Sequence, residues 1–168
     1  MSNFKLTPVL ILFGLMLTGC ASVNYVEPTE GPLSNVRFVT AQKGFFTLSM
    51  VHQKTGDGYF DYATILRLRD PKLSEDSIRN LNIPFNDYAG GASKELRISA
   101  QKKFEGIFYG EETLVLPLIC QVEFSYLFKE NHEYEVKFDM KGLSCHVTIN
   151  EIVYEADVPK LVQRQVFE

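Results

Sequence analysis

The chain has 168 residues, a formal net charge of −4, and 45% apolar against 23% charged residues. That is the balance of a globular chain with enough residues to bury a core, and it excludes a disordered or low-complexity protein. The acidic net charge and the absence of any Lys/Arg-rich run argue against a basic face for nucleic acid or for recruitment to anionic lipid.

The first element is an apolar run. Lys5 is followed by Leu6–Leu17, "LTPVLILFGLML", which is too short for the roughly 20 helical residues that span a bilayer but has the layout of an export signal. The run closes on Leu17-Thr18-Gly19-Cys20, which resembles the lipobox of bacterial lipoproteins. The resemblance implies cleavage between Gly19 and Cys20 by the lipid-specific signal peptidase, diacylglycerol on the Cys20 sulfur, and usually a third chain on the new amino group. Small side chains at Thr18 and Gly19 suit a narrow cleavage site, and the thiol is the group that accepts the lipid. Each buried CH2 contributes about 0.8 kcal/mol, so two or three chains hold firmly, and the membrane is the first partner expected. Ala21 follows the cysteine where an aspartate would signal inner-membrane retention in enteric-type bacteria, so the resemblance implies the outer membrane, facing the periplasm. Removing residues 1–19 would leave 149 residues and take away Lys5 but no acid, moving the charge to −5.

Residues 20–33, with Pro28, Gly31 and Pro32, read as a lipidated cysteine followed by a flexible tether that reaches at most about 40 Å. The alternative is a first edge strand at Tyr25 and Val26. Residues 34–168 read as one β domain. Strands are expected at Arg37–Ala41, Phe45–Gln53 and Tyr59–Leu68, with a turn at Lys54–Gly58. Ser74 caps a possible short helix ahead of Pro84, and Asp87–Ser93 form a loop. Leu96, Ile98 and Ala100 then alternate with Glu95, Arg97, Ser99 and Gln101. Leu114–Ile119 is apolar throughout, and Pro117 there suggests an edge or a bulge.

The period of two is clearest in the last third of the chain. Cys120, Val122, Phe124, Tyr126 and Phe128 fall on one face; Gln121, Glu123, Ser125 and Lys129 fall on the other, with Leu127 the exception. Tyr134, Val136, Phe138 and Met140 alternate with Glu133, Glu135, Lys137, Asp139 and Lys141. Cys145, Val147, Ile149 and Val153 face inward; His146, Thr148 and Asn150 face outward. These three strands read as an antiparallel meander with one wet face. The whole is an all-β protein, a single antiparallel β-sandwich of about seven or eight strands, with a small closed barrel as the alternative. The order of elements from Lys94 to Glu155 resembles small periplasmic lipoproteins of unknown role, which implies no function.

Once Cys20 carries lipid, Cys120 and Cys145 are the two cysteines left. Both lie on apolar faces, and an oxidising periplasm favours a disulfide between them. In a flat meander they would sit two strands apart, about 9.6 Å, beyond the roughly 7 Å a disulfide allows. The bond therefore requires the Cys120 strand to splay away or cross to the facing sheet. The alternative is two buried free thiols.

The sequence contains no GxSxG, HExxH or CxxC motif and no phosphate-binding glycine loop. His52, His132 and His146 are scattered, and His132 and His146 read as solvated. Cys145 and His146 are strand neighbours, which point to opposite faces and cannot easily share a metal ion. Asp57 and Asp61 around Gly58 lack the spacing of a calcium loop. Glu111 and Glu112 read as adjacent loop carboxylates rather than an opposed acid–base pair, and Tyr59, Phe60 and Tyr62 as packing residues or an exposed aromatic patch. No catalytic residue, metal site or cofactor is assigned. The expected role is a non-catalytic binding or scaffold module of the cell envelope that contacts an envelope protein. The alternative is a small-ligand or glycan carrier, and an envelope hydrolase ranks third. An open apolar cavity would favour the carrier and a filled core the binding module.

Overall fold

The alternation of apolar and polar residues becomes strands that bury one side each. The computed structural model describes residues 23–40, 47–56, 62–68, 81–84, 92–112, 118–141 and 144–164. The leader, Cys20, the Asp57–Asp61 turn with Tyr59 and Phe60, the segment from Ser74 up to residue 80, the loop from Asp87 as far as residue 91, and residues 114–117 lie outside them. Ten strands are described: β1 Val23–Asn24, β2 Leu33–Thr40, β3 Thr47–Lys54, β4 Tyr62–Leu68, β5 Ala92–Ser99, β6 Phe104–Glu112, β7 Leu118–Tyr126, β8 Glu133–Lys141, β9 Ser144–Glu155 and β10 Val158–Arg164.

They form two five-stranded sheets that pack as a β-sandwich. The first runs β1-β4-β3-β6-β7 and the second β10-β9-β8-β2-β5. Pairing is mostly antiparallel; the parallel pairs are β1–β4 and β2–β8. The chain crosses between sheets repeatedly, so neither sheet is a simple meander.

The expected three-strand meander is corrected here. β8 and β9 form a hairpin, but β7 belongs to the opposite sheet and pairs with β6. Residues 127–132 make the crossing. Asn131 turns the chain at φ 58° and donates its amide to the Leu33 carbonyl at 2.9 Å, while Ser34 Oγ donates to the Lys129 carbonyl. Phe128, buried to 1% exposure, fixes the crossing from inside, its ring 5.0 Å from Tyr134 and 5.9 Å from Phe104.

Two strands are absent from the sequence reading. β6 occupies a stretch read as loop around Glu111 and Glu112, and β10 follows a two-residue turn at Ala156–Asp157. The segment read as a tether is docked from Val23 onward, and its edge strand is Val23–Asn24 rather than Tyr25 and Val26. It pairs because Tyr25 brings its ring against the core and its amide to the Thr64 carbonyl at 3.0 Å.

The core between the sheets is aromatic. Phe38 lies 5.9 Å from Phe104 and 6.4 Å from Phe108, and Phe108 stacks on Phe138 at 5.0 Å. Burying one such ring stabilises the fold by about 1.5–3 kcal/mol. The inward faces of β7 and β8 match the alternation: Phe124, Phe128, Tyr134, Val136 and Phe138 are buried, and Gln121, Glu123, Leu127 and Lys129 are exposed.

The outer face of the second sheet is not wet throughout. Arg37, Val39, Glu95 and Glu135 are all buried there, which corrects the placing of Glu135 on a solvated face. Leu81–Pro84 covers them. Arg37 donates to the Ile83 carbonyl at 2.9 Å, the Pro84 carbonyl at 2.5 Å and Glu135 Oε2 at 3.1 Å, and Glu95 lies 3.7 Å away. Glu95 in turn accepts the Leu81 amide. A buried guanidinium is tolerated because its two terminal nitrogens meet carbonyls and carboxylates.

Candidate binding surface

The strand ends near the 127–132 crossing gather the polar side chains. β9 outruns β8: the last pair is Glu133 with Ile152, so Val153–Glu155 are bonded only to β10. The β9–β10 hairpin therefore extends past the start of β8, turning through Ala156 at φ 51° and Asp157 at φ 63°. Tyr154, Val158 and Leu161 on it are 55%, 57% and 42% exposed. β10 is also the edge of its sheet. An edge strand with exposed apolar side chains can receive another extended chain or a protein surface.

Beside the hairpin an open groove of about 700 Å³ runs over Asn35, Arg97, Asn131, His132, Glu133 and Tyr154. Tyr154 donates its hydroxyl to Glu133 Oε2 at 2.7 Å. That bond, with some burial and the carboxylate's charge, pushes the phenol's ionisation up, so Tyr154 stays neutral. The groove offers two amides, an imidazole, a guanidinium, a carboxylate and a phenol ring beside the apolar Leu33, Ile152 and Val153, a mixed lining.

At the inner edge of this surface sits Glu151, 2% exposed. His132 Nδ1 approaches it at 2.5 Å, Arg164 donates from Nε at 2.7 Å, and Lys129 Nζ lies at 3.6 Å. Burial alone would raise the Glu151 pKa. The hydrogen bonds to His132 and Arg164 and the charge of Lys129 outweigh it and hold the carboxyl below its usual range. Tyr134 and Tyr126 flank the cluster, both with phenols pushed up chiefly by burial. This is an ion-pair knot that ties β9, β10 and the crossing loop together.

The structure brings together one predicted pair. Cys120 on β7 and Cys145 on β9 have Cα atoms 6.0 Å apart and are placed as a disulfide, joining the two sheets. The Cys120 strand does cross to the facing sheet, as the bond requires. The other candidates are dispersed. His52 lies 3.2 Å from Thr64 Oγ1 with its ring edge-on to Tyr62. His146 is exposed while its neighbour Cys145 packs on the core. Glu111 lies in β6, not in a loop, and accepts from the Tyr109 hydroxyl at 3.4 Å. Among the described residues no His/Cys/Asp/Glu group is arranged to hold a metal, and no helix is long and apolar enough to cross a membrane.

Sequence reasoning missed Glu151, Arg37 and the hairpin. The inward parity of Cys145, Val147 and Ile149 extends to Glu151, a signal available in the sequence. No family model matches the chain, and neither does any curated protein.

Proposed function

We propose that the protein is a lipid-anchored module of the bacterial cell envelope, non-catalytic, working by contact with an envelope protein. Its leader is removed at Gly19–Cys20, Cys20 carries the acyl chains, and Ala21 directs it to the outer membrane with the domain in the periplasm. The observation that carries the binding role is the edge of the β9–β10 hairpin, which exposes Tyr154, Val158 and Leu161. The aromatic filling of the core between the sheets speaks for a rigid module rather than a carrier with an internal pocket.

A glycan-binding role is the second reading, favoured by Tyr154 lining an open groove with amides and apolar side chains together. Affinity purification from crosslinked membranes tests the first reading. One reproducible envelope partner, lost on Leu161→Glu, is expected; equal recovery with that variant sinks the hairpin assignment. The anchor has its own test. Cys20→Ser is expected to leave an uncleaved precursor that takes up no radioactive palmitate, and label on that variant contradicts it. Gradient fractionation should place the wild type with the outer membrane, and Ala21→Asp should move part of it inward.

A further inference from the structure

The N-terminal segment is held to the domain very close to Cys20. Val23 and Asn24 pair with Ala63 and Thr64, Tyr25 donates its hydroxyl to the Arg97 carbonyl at 2.9 Å, and Glu27 accepts the Arg97 amide at 3.1 Å. Only the steps from Cys20 to Val23 remain as leash, a reach of at most about 11 Å. Register shows which end of the sandwich that leash leaves. Val23 lies beside Ala63 at the start of β4, Tyr62 faces Lys54, Gln53 faces Gly106, and Phe104 faces Tyr126. This end therefore carries the links 100–103 and 127–132, while Ile119 and Ser144, both exposed, lie at the opposite end.

A groove of about 550 Å³ opens beside the segment. Tyr25, Val26, Gln53, Gln101, Lys102 and Lys103 contribute to its lining, which includes no carboxylate, and Val26 is 84% exposed. We propose that this end of the sandwich rests on the leaflet holding the acyl chains, with the groove seating a phospholipid headgroup phosphate between Lys102 and Lys103. The inference rests on lipidation of Cys20. The acidic net charge is no obstacle, because the anchor supplies attachment and a high local concentration of headgroups; two lysines then need only orient a domain already there. The opposite end, with Ile119 and Ser144, points into the periplasm. The β9–β10 turn shares the leaflet end, because Ile152 pairs with Glu133 beside the 127–132 link. A protein partner therefore meets β10 from the side, along its free edge.

The test uses the full-length, palmitate-labelled protein in phosphatidylethanolamine–phosphatidylglycerol vesicles, with a photocrosslinking amino acid placed in turn at Gln101, Leu127, Ile119 and Ser144. Lipid adducts are expected to be several-fold more abundant at Gln101 and Leu127 than at Ile119 and Ser144. Inserting about 12 Gly/Ser residues after Ser22 adds roughly 20 Å of flexible reach and is expected to erase most of the difference. Lys102→Glu with Lys103→Glu should lower the Leu127 adducts several-fold. Equal adducts at all four positions in labelled protein, or a pattern unmoved by both changes, overturns the inference alone. Absence of palmitate label overturns the lipidation beneath it, and the inference with it.

Discussion

Glu151 is a carboxylate with almost no water, held ionised by the His132 ring and by two cations, Lys129 and Arg164, all partly solvated at 42%, 58% and 35% exposure. Its folded pKa lies below the ordinary value of about 4.3. The stability it adds is thus fully present above that value and is lost as pH falls through the folded pKa. Glu151→Gln keeps the shape and removes the charge. Because the partners can return to water, the expected loss at neutral pH is about 1–2 kcal/mol, toward the low end for a charged hydrogen bond. Urea unfolding checks it: the gap between variant and wild type should shrink at pH 3. Arg37 is the harsher case. It has no exposure, and Arg37→Ala would strand Glu95 and Glu135 in the interior, a loss of about 3–5 kcal/mol that can unfold a marginal domain. Arg37→Lys should recover only part of it, since one ammonium cannot span Ile83, Pro84 and Glu135 at once. Urea midpoints of the three proteins give the order.

At the scale of elements, the C-terminal hairpin carries a correctable strain. Its turn places Ala156 and Asp157 at positive φ, the shape of a type I′ turn, which favours Asn-Gly. Asp tolerates the left-handed region but Ala does not, at about 1–2 kcal/mol. Ala156→Asn with Asp157→Gly should therefore slow hydrogen exchange of the β10 amides about fivefold, the factor that about 1 kcal/mol gives. Strands β7, β8 and β9 were legible because period two runs through most of each. β6 was not, because Gly106 and Gly110 interrupt its alternation of side chains. A Cβ built on Gly106 would stand 2.5 Å from the Phe124 ring and 2.8 Å from the Phe104 ring, so glycine is there to admit two aromatic rings. Tertiary packing, invisible along the chain, overrode the local signal. β10 was hidden for a similar reason: Ala-Asp does not look like a hairpin turn. Glu151 was hidden by its charge, although its position in the alternation faced inward. The proposed lipobox and acyl anchor rest on the sequence alone, at Leu17-Thr18-Gly19-Cys20.

For the molecule as a whole, the question is what holds two sheets together when the chain crosses between them so often. Aromatic packing fills the space from Phe104 and Phe128 to Phe108 and Phe138, and the Glu151 knot lies toward the end where the crossing loop runs. Toward the other end, β7 and β9 meet at Cys120 and Cys145. β7 is the edge of its sheet, bonded on one side to β6, so a covalent tie there would restrain a strand otherwise prone to fray. The two residues are 25 apart, and closing that loop in the unfolded chain should stabilise the fold by about 3.5 kcal/mol in the chain-entropy model. Mass spectrometry of the mature protein, alkylated under denaturing conditions without reduction, is expected to show no adduct on either cysteine, and two adducts after reduction. The paired change of Cys120→Ser with Cys145→Ser should lower the urea midpoint while leaving the sheet signature in circular dichroism intact, because the aromatic core remains. Two alkylated cysteines in unreduced protein would mean that packing alone brings these Cα atoms to 6.0 Å.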